Sequence, residues 1–197
     1  MISIINHRLA NTIPFHPSPN IGGTLHEPQI IVMHYTAGGT LASAVNWFAS
    51  PASGVSAHLV IDRDGTIVQM VDFDRIAYHA GKSSWNGRQG CNNFSIGIEL
   101  VNWGILQSVG DTLQTWTGSP IKLEDAEYAA LPGGRSAWWH KFTDTQINVA
   151  YDVCALLVRE YGLVDIVGHC DVAPGRKVDP GALFPMQRFK GLVNAHR

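Results

Sequence analysis

Apolar and polar positions along this chain repeat with two distinct periods. Residues 29–34, QIIVMH, form a short apolar run rich in β-branched side chains and predict a buried strand ending at His34. The Gly38-Gly39 pair breaks the run, and Thr40 then caps a helix with Leu41, Ala44, Val45 and Phe48 on one face, stopped by Pro51. AHLVID and TIVQMV, joined by Arg63-Asp64-Gly65, predict a hairpin, because Asp-Gly supplies the positive φ of a tight turn. SIGIELV, residues 95–101, is a further strand.

Thr143 and Gln146 predict a capping box that opens a second helix. Ile147, Ala150, Tyr151, Cys154, Leu157 and Val158 form its apolar stripe, and Gly162 ends it. Val164–Val167 is the last strand. Strands interleaved with helices predict an α/β fold, a single domain with a central mixed β-sheet flanked by helices. Residues 1–28, with prolines at 14, 17, 19 and 28, read as a surface-hugging lead-in. Residues 102–142 carry Trp103, Trp116, Trp138 and Trp139 without sustained periodicity and read as an insertion or long loop.

Composition narrows the function. A chain of 197 residues can bury a full core as one domain. A net charge of −2, with no basic cluster, argues against nucleic acid or acidic lipid as a partner. No apolar stretch approaches the ~20 residues of a membrane helix. The opening MISIINHRLANTIPFHP lacks the pattern of a secretory signal, so a cytoplasmic location is expected. Release as a phage lysin, or export as an effector, are the alternatives. Cys91, Cys154 and Cys170 are odd in number and scattered, which fits a reducing compartment. A monomer is expected. Nine histidines are the unusual feature, and they point to site chemistry.

His34 and His169 each close a strand candidate, where α/β sheets place their ligands. His169 opens the segment GHCDVAPGRKVDP, too rich in Gly and Pro to read as a helix, which holds Lys177 and Asp179. Pro174, Gly175, Pro180 and Gly181 restrict the backbone so that Asp179 can fold back toward His169. Two imidazoles and a carboxylate with an open fourth position make a common catalytic zinc set. A strand-end histidine is equally an ordinary hydrogen-bonded residue, and spacing does not show that the three side chains converge. On the residues alone, alternation in SIGIELV puts Glu99 on a solvent face and Lys177 is an exposed lysine.

IVMHYTAGG, VSAHLVIDRDGTIVQMV, AYHAGKSSWNG, NNFSIGIEL and VGHCDVAPGRKVDPG occur in that order. Together they closely resemble the zinc-dependent N-acetylmuramoyl-L-alanine amidases, the family that includes phage amidase lysins and peptidoglycan recognition proteins. The likeness covers roughly residues 29–101 and 143–190. It implies one zinc ion on His34, His169 and Asp179, Glu99 as the catalytic carboxylate and Lys177 as the oxyanion-stabilising cation. It also implies a peptidoglycan or muropeptide substrate, cut between the lactyl group of N-acetylmuramic acid and L-alanine. Family members that bind without cutting typically lose a metal ligand, whereas this chain keeps all three. Hydrolysis is therefore expected, with a non-hydrolytic muropeptide-binding module as the alternative.

The chemistry agrees. An amide is a poor electrophile, so the water must be activated and the oxyanion stabilised. Among the remaining candidates, His79 and Trp85 are expected to line the groove. Asn92 and Asn93 could bond the stem peptide or simply form a turn. Tyr35 either orients the site or packs, and His58 reads as a packing or groove-wall residue. Cys170 follows a proposed ligand directly, and adjacent side chains diverge, so it is not expected to share the ion. The tryptophans of 102–142 form either a sugar-stacking lip or a satellite core. The second is favoured because Trp138 and Trp139 directly precede the helix that needs covering.

Overall fold

The computed structural model describes residues 2–10, 12–130 and 136–194. Its central sheet begins with β1 (Ile30–Tyr35), followed by α1 (Leu41–Ala49), the hairpin β2 (Leu59–Ile61) and β3 (Ile67–Gln69), and β4 (Ser95–Leu100). A second, antiparallel group follows: β5 (Ile105–Val109), β6 (Thr112–Gln114), β7 (Pro120–Ile121), β8 (Ala126–Ala130) and β9 (Ser136–His140). The chain closes with α2 (Asp144–Tyr161), β10 (Asp165–Gly168), a single helical turn α3 (His169–Val172) and α4 (Met186–Asn194). The central strands lie in the order β10-β1-β4-β2-β3. β10, β1, β4 and β2 run parallel, and β3 returns antiparallel at the edge. The sheet is mixed, as the pattern predicts.

Near-continuous apolar runs are what a parallel sheet covered on both faces requires. Ile31, Met33, Ile96, Ile98, Leu100 and Ile166 face α2 and α4, joining Ala150, Val153, Cys154, Leu157 and Phe189 in the main core. Ile30, Val32 and Val167 face the other way, onto Ala80, Cys91 and Phe94. The sheet side that carries the site is thus covered by the segment after β3 rather than by a long helix.

The caps follow from side-chain chemistry. Thr40 Oγ1 accepts from Ser43 N at 3.2 Å, and Thr143 Oγ1 accepts from Gln146 N at 3.1 Å. The expected capping box is only half made. The Gln146 amide instead donates to the Ile61 and Val101 carbonyls at 3.0 and 3.1 Å, tying α2 to two strand ends. The stripe of α2 is also wider than expected, since Val153 and Leu156 are buried as well, while Tyr151 is partly exposed against Phe189.

Of the two readings of residues 102–142, insertion or long loop, the structure overturns the loop. The segment folds as a sheet of order β7-β6-β5-β9-β8, with residues 131–135 outside the described residues. Its strands are short and mostly exposed; among the described residues Leu106, Leu113 and Ala126 are buried in its small core, flanked by Trp103 and Trp138. A two-residue period cannot show itself over two or three inward positions. Trp139 is fully buried, whereas Trp116 is 63% exposed and donates its indole N–H to the Ala37 carbonyl at 2.7 Å. The lead-in, apart from residues 1 and 11, which lie outside the described residues, runs along the sheet edge. Phe15 bridges to Gln69, and Ile21–Thr24 pairs with Arg75–Ala77. No helix among the described residues is long and apolar enough to cross a membrane.

Candidate metal centre and active site

The parallel register brings the site together. Glu99 is the partner of His34 across β4 and β1, and Gly168 is the partner of Met33 across β10 and β1. His34, Glu99 and His169 therefore stand at the C-terminal ends of three adjacent strands, the edge at which open α/β sheets bind ligands. Asp179 arrives from the loop after α3, whose end is anchored by Cys170 N donating to the Asp179 carbonyl at 2.9 Å.

The segment 168–180 was expected to be non-helical, yet its start makes one turn. Gly168 N donates to Asp171 Oδ2 at 2.8 Å, and the helix-breaking residues come only from Pro174 onward. Gly168 is needed for a steric reason, since a Cβ there would lie 2.7 Å from Pro180 Cδ, the ring that follows Asp179.

The three proposed ligands converge. His34 Nδ1 lies 2.9 Å from His169 Nδ1, and each is 3.0 Å from Asp179 Oδ2. All three residues are buried, at 1%, 3% and 7% exposure. The His169 Nε2 proton is taken by the Ala80 carbonyl at 3.2 Å, which leaves the Nδ1 lone pair turned into the site. Three electron-rich atoms so placed repel one another unless a cation or a proton lies among them. Tetrahedral ligands at about 2.0–2.2 Å from a zinc ion sit about 3.3–3.6 Å apart, roughly half an ångström beyond the spacing here. The donor set could hold a metal ion.

Burial sets the proton affinities. His34 is pushed down to about 4 by desolvation, against the pull of Asp179. Burial would raise Asp179, but without a metal a proton shared with the Nδ1 atoms of His169 and His34 favours the carboxylate and holds it well below the usual range. Glu99 is 8% exposed and raised to about 8, by desolvation first and then by Asp179, with Lys177 opposing. Its Oε2 has no hydrogen-bond partner among the described residues. A buried carboxylate oxygen left unpaired calls for a reason, and an acid–base role is one. The solvent-face alternative for Glu99 fails because both faces of the parallel sheet are covered.

A cavity of about 450 Å³ is lined by His34, Glu99, His169, Lys177 and Asp179. Tyr35 and His79 reach its wall, and Lys177 is exposed at its rim. Two larger hollows lie beside the N-terminal segment, one against Asp152 and Arg159 and one against Asp72 and Asp74, and neither gathers a comparable set of groups.

The structure does not bring Trp85, Asn92 or Asn93 to this cavity. Trp85 packs near Phe94 and its indole reaches Asp165 Oδ2 at 3.3 Å. Asn93 turns back to the Gly90 carbonyl, and Asn92 accepts from the backbone of residues 79 and 80. His58 is a packing residue: Nε2 donates to the Arg75 carbonyl and Nδ1 accepts from Gly97 N. Cys170 stands outside the ligand set.

Arg176, Trp47 and Tyr78 line the cavity without having been singled out from the sequence. Arg176 could have been found by its place in the loop, beside Lys177. It donates to the carbonyls of Ala80 and Lys82, both at 2.7 Å, and so ties the loop to the opposite wall.

Residues 24–182 match the family described as N-acetylmuramoyl-L-alanine amidase. The chain is 40% identical over 140 residues to the 1,6-anhydro-N-acetylmuramyl-L-alanine amidase AmpD of Escherichia coli, covering 71% of this chain and 59% of that protein. It is 30% identical over 173 residues to the N-acetylmuramoyl-L-alanine amidase AmiD of the same organism, covering 82% of this chain and 51% of that one. The chain thus spans less than two thirds of the length of these curated relatives. Among solved structures, a selenomethionine derivative of AmpD superposes with a TM-score of 0.68 at 30% identity, over 96% of this chain and 98% of that one. AmiD in complex with anhydro-N-acetylmuramic acid-L-Ala-D-γ-Glu-L-Lys superposes with a TM-score of 0.63 at 25% identity, over 97% and 65%. With five ordered motifs, the fold and the converging side chains in agreement, the chain belongs to the N-acetylmuramoyl-L-alanine amidase family.

Proposed function

We propose that this chain is a zinc-dependent amidase that hydrolyses the bond between the lactyl group of N-acetylmuramic acid, or its anhydro form, and the L-alanine of a peptidoglycan stem peptide. The observation that carries this reading is the meeting of His34, His169 and Asp179 in one cavity with Glu99. His34, His169 and Asp179 would hold the ion. Zinc, when bound, would lower the pKa of a water toward ~7 and polarise the scissile carbonyl.

The chain's own residues supply the rest. Glu99, whose Oε2 has no partner among the described residues, takes a proton from the attacking water, its burial-raised proton affinity being lowered again by the cation that the site would hold. It then delivers that proton to the nitrogen of L-alanine as the C–N bond breaks, leaving a lactyl carboxylate and a free amino group. Lys177, at the rim, places a positive charge where the oxyanion forms, a contribution of ~10²–10³ in rate. Tyr35, on the wall, shapes the cavity; burial first, then Asp179, Cys170 and Glu99, raise its pKa, so it stays a neutral donor. We read residues 1–197 as one amidase domain, with the 102–142 sheet as an addition beside the cavity.

The test is product analysis of zinc-loaded protein on sacculi and on a purified anhydro-muropeptide, side by side. Mass spectrometry should show free stem peptide beginning at L-alanine and sugar retaining its lactyl carboxylate. Muropeptide binding without release of stem peptide from either substrate would overturn the hydrolase in favour of a binding module.

A further inference from the structure

Both histidine ligands are backed by two consecutive residues. His34 Nε2 lies 2.9 Å from His79 Nδ1, and His169 Nε2 lies 3.2 Å from the Ala80 carbonyl. Asn92 Oδ1 accepts from His79 N at 3.1 Å and from Ala80 N at 2.7 Å, so one side chain fixes both backing groups. Arg176 secures the same Ala80 carbonyl from the loop that carries Asp179.

Hydrogen positions follow from the chain of partners. Ser95 Oγ donates to the Cys91 carbonyl at 2.7 Å, so it accepts from His79 Nε2 at 3.2 Å. His79 therefore carries its proton on Nε2 and offers Nδ1 as an acceptor. His34 must then donate from Nε2, which turns its Nδ1 lone pair toward Asp179 and His169. The sequence makes room for this: a Cβ at position 97 would come within 2.4 Å of the His79 ring, and the residue there is glycine. With both nitrogens occupied, the His79 ring has no polar atom left for a substrate, although it reaches the cavity wall.

We propose that His79 and Ala80, clamped by Asn92, form a platform that orients both imidazole ligands, which makes His79 and Asn92 positioning residues for the metal rather than contacts of the substrate. Groups behind a metal ligand fix its tautomer and ring orientation, and their loss typically costs about 10–100-fold in metal affinity. The proposal rests on the metal reading above, and its test separates the two.

Zinc affinity of the full chain is measured by competition with a chromogenic chelator, alongside KM at saturating zinc. His79→Leu should weaken zinc binding by about 10–100-fold and leave KM unchanged. His79→Gln should stay within a few-fold of wild type, because its amide oxygen can accept from His34 while its nitrogen donates to Ser95. Asn92→Ala should weaken zinc binding as well, and Asn92→Asp should restore it. If His79→Leu melts before zinc is added, the Asn92 pair and His79→Gln carry the same comparison. Unchanged zinc affinity with a raised KM in His79→Leu or Asn92→Ala would overturn the platform. A wild-type chain that takes up no zinc would instead overturn the metal reading itself.

Discussion

Replacing Glu99 by Gln keeps the side chain's shape and removes its charge, and the structure says what that does to the metal-free protein. Glu99 is raised from 4.5 to about 8, chiefly by burial. The folded pKa lies above the unfolded one, so the folded state binds more protons between these values. The associated stability is fully present below about pH 4.5 and is lost as pH rises through about 8. Every tenfold change in proton affinity corresponds to ~1.4 kcal/mol, so the whole loss amounts to about 5 kcal/mol. Titrating groups that do not interact with Glu99 are common to both proteins and cancel in the difference, which leaves Glu99 and its coupling to Asp179 and Lys177.

The assay is urea denaturation of chelator-treated wild type and Glu99→Gln at pH 5 and at pH 8.5. The variant should gain on wild type by several kcal/mol between the two. Parallel pH dependence in the two proteins would refute the assignment of Glu99 as a carboxyl raised by burial. In the zinc-loaded form the same variant should retain one equivalent of metal and lose turnover by ~10²–10⁴, the usual worth of a general base. Substantial residual activity with zinc in place would remove Glu99 from the mechanism.

Asp179→Ala takes away one of three ligands, so elemental analysis after dialysis should find well under one equivalent of zinc; a full equivalent would show that the cluster is not the metal site. Gly168→Ala forces a methyl against Pro180 Cδ, at 2.7 Å, and should cost ~1–3 kcal/mol with weakened metal binding, measured by denaturation and chelator competition. Wild-type values in both would mean that the loop yields freely. Leu157→Ala, at a fully buried position of α2, should cost ~2–5 kcal/mol of unfolding free energy without changing KM; a loss under 1 kcal/mol would contradict the packing of α2 on the sheet.

Much of the fold could be read along the chain because each central strand is buried over most of its length and each long helix buries one apolar face. The QIIVMH run, the Asp-Gly hairpin, the caps at Thr40 and Thr143 and the apolar stripe of α2 all follow from local chemistry. The sheet of residues 105–140 escaped because its strands bury one side chain here and there. Helix α3 escaped because the Gly/Pro content of its segment lies after the turn, not in it. Candidate ligands were legible through residue type and strand-end position. The positions of Trp85 and Asn92 outside the cavity were not, because a groove wall and the layer behind it draw on the same aromatic and amide side chains.

What this amino-acid sequence determined by itself was local: periodicity chose the elements, and histidine and carboxylate at the ends of apolar runs marked where chemistry could lie. Only the tertiary structure decided which of those groups meet. Parallel pairing of β1 with both β4 and β10 sets His34 beside Glu99 and His169, and the return of the loop behind Gly168 adds Asp179. The reason is physical. Strand register and close approach depend on contacts between residues 65 to 145 positions apart, and no local pattern carries that information.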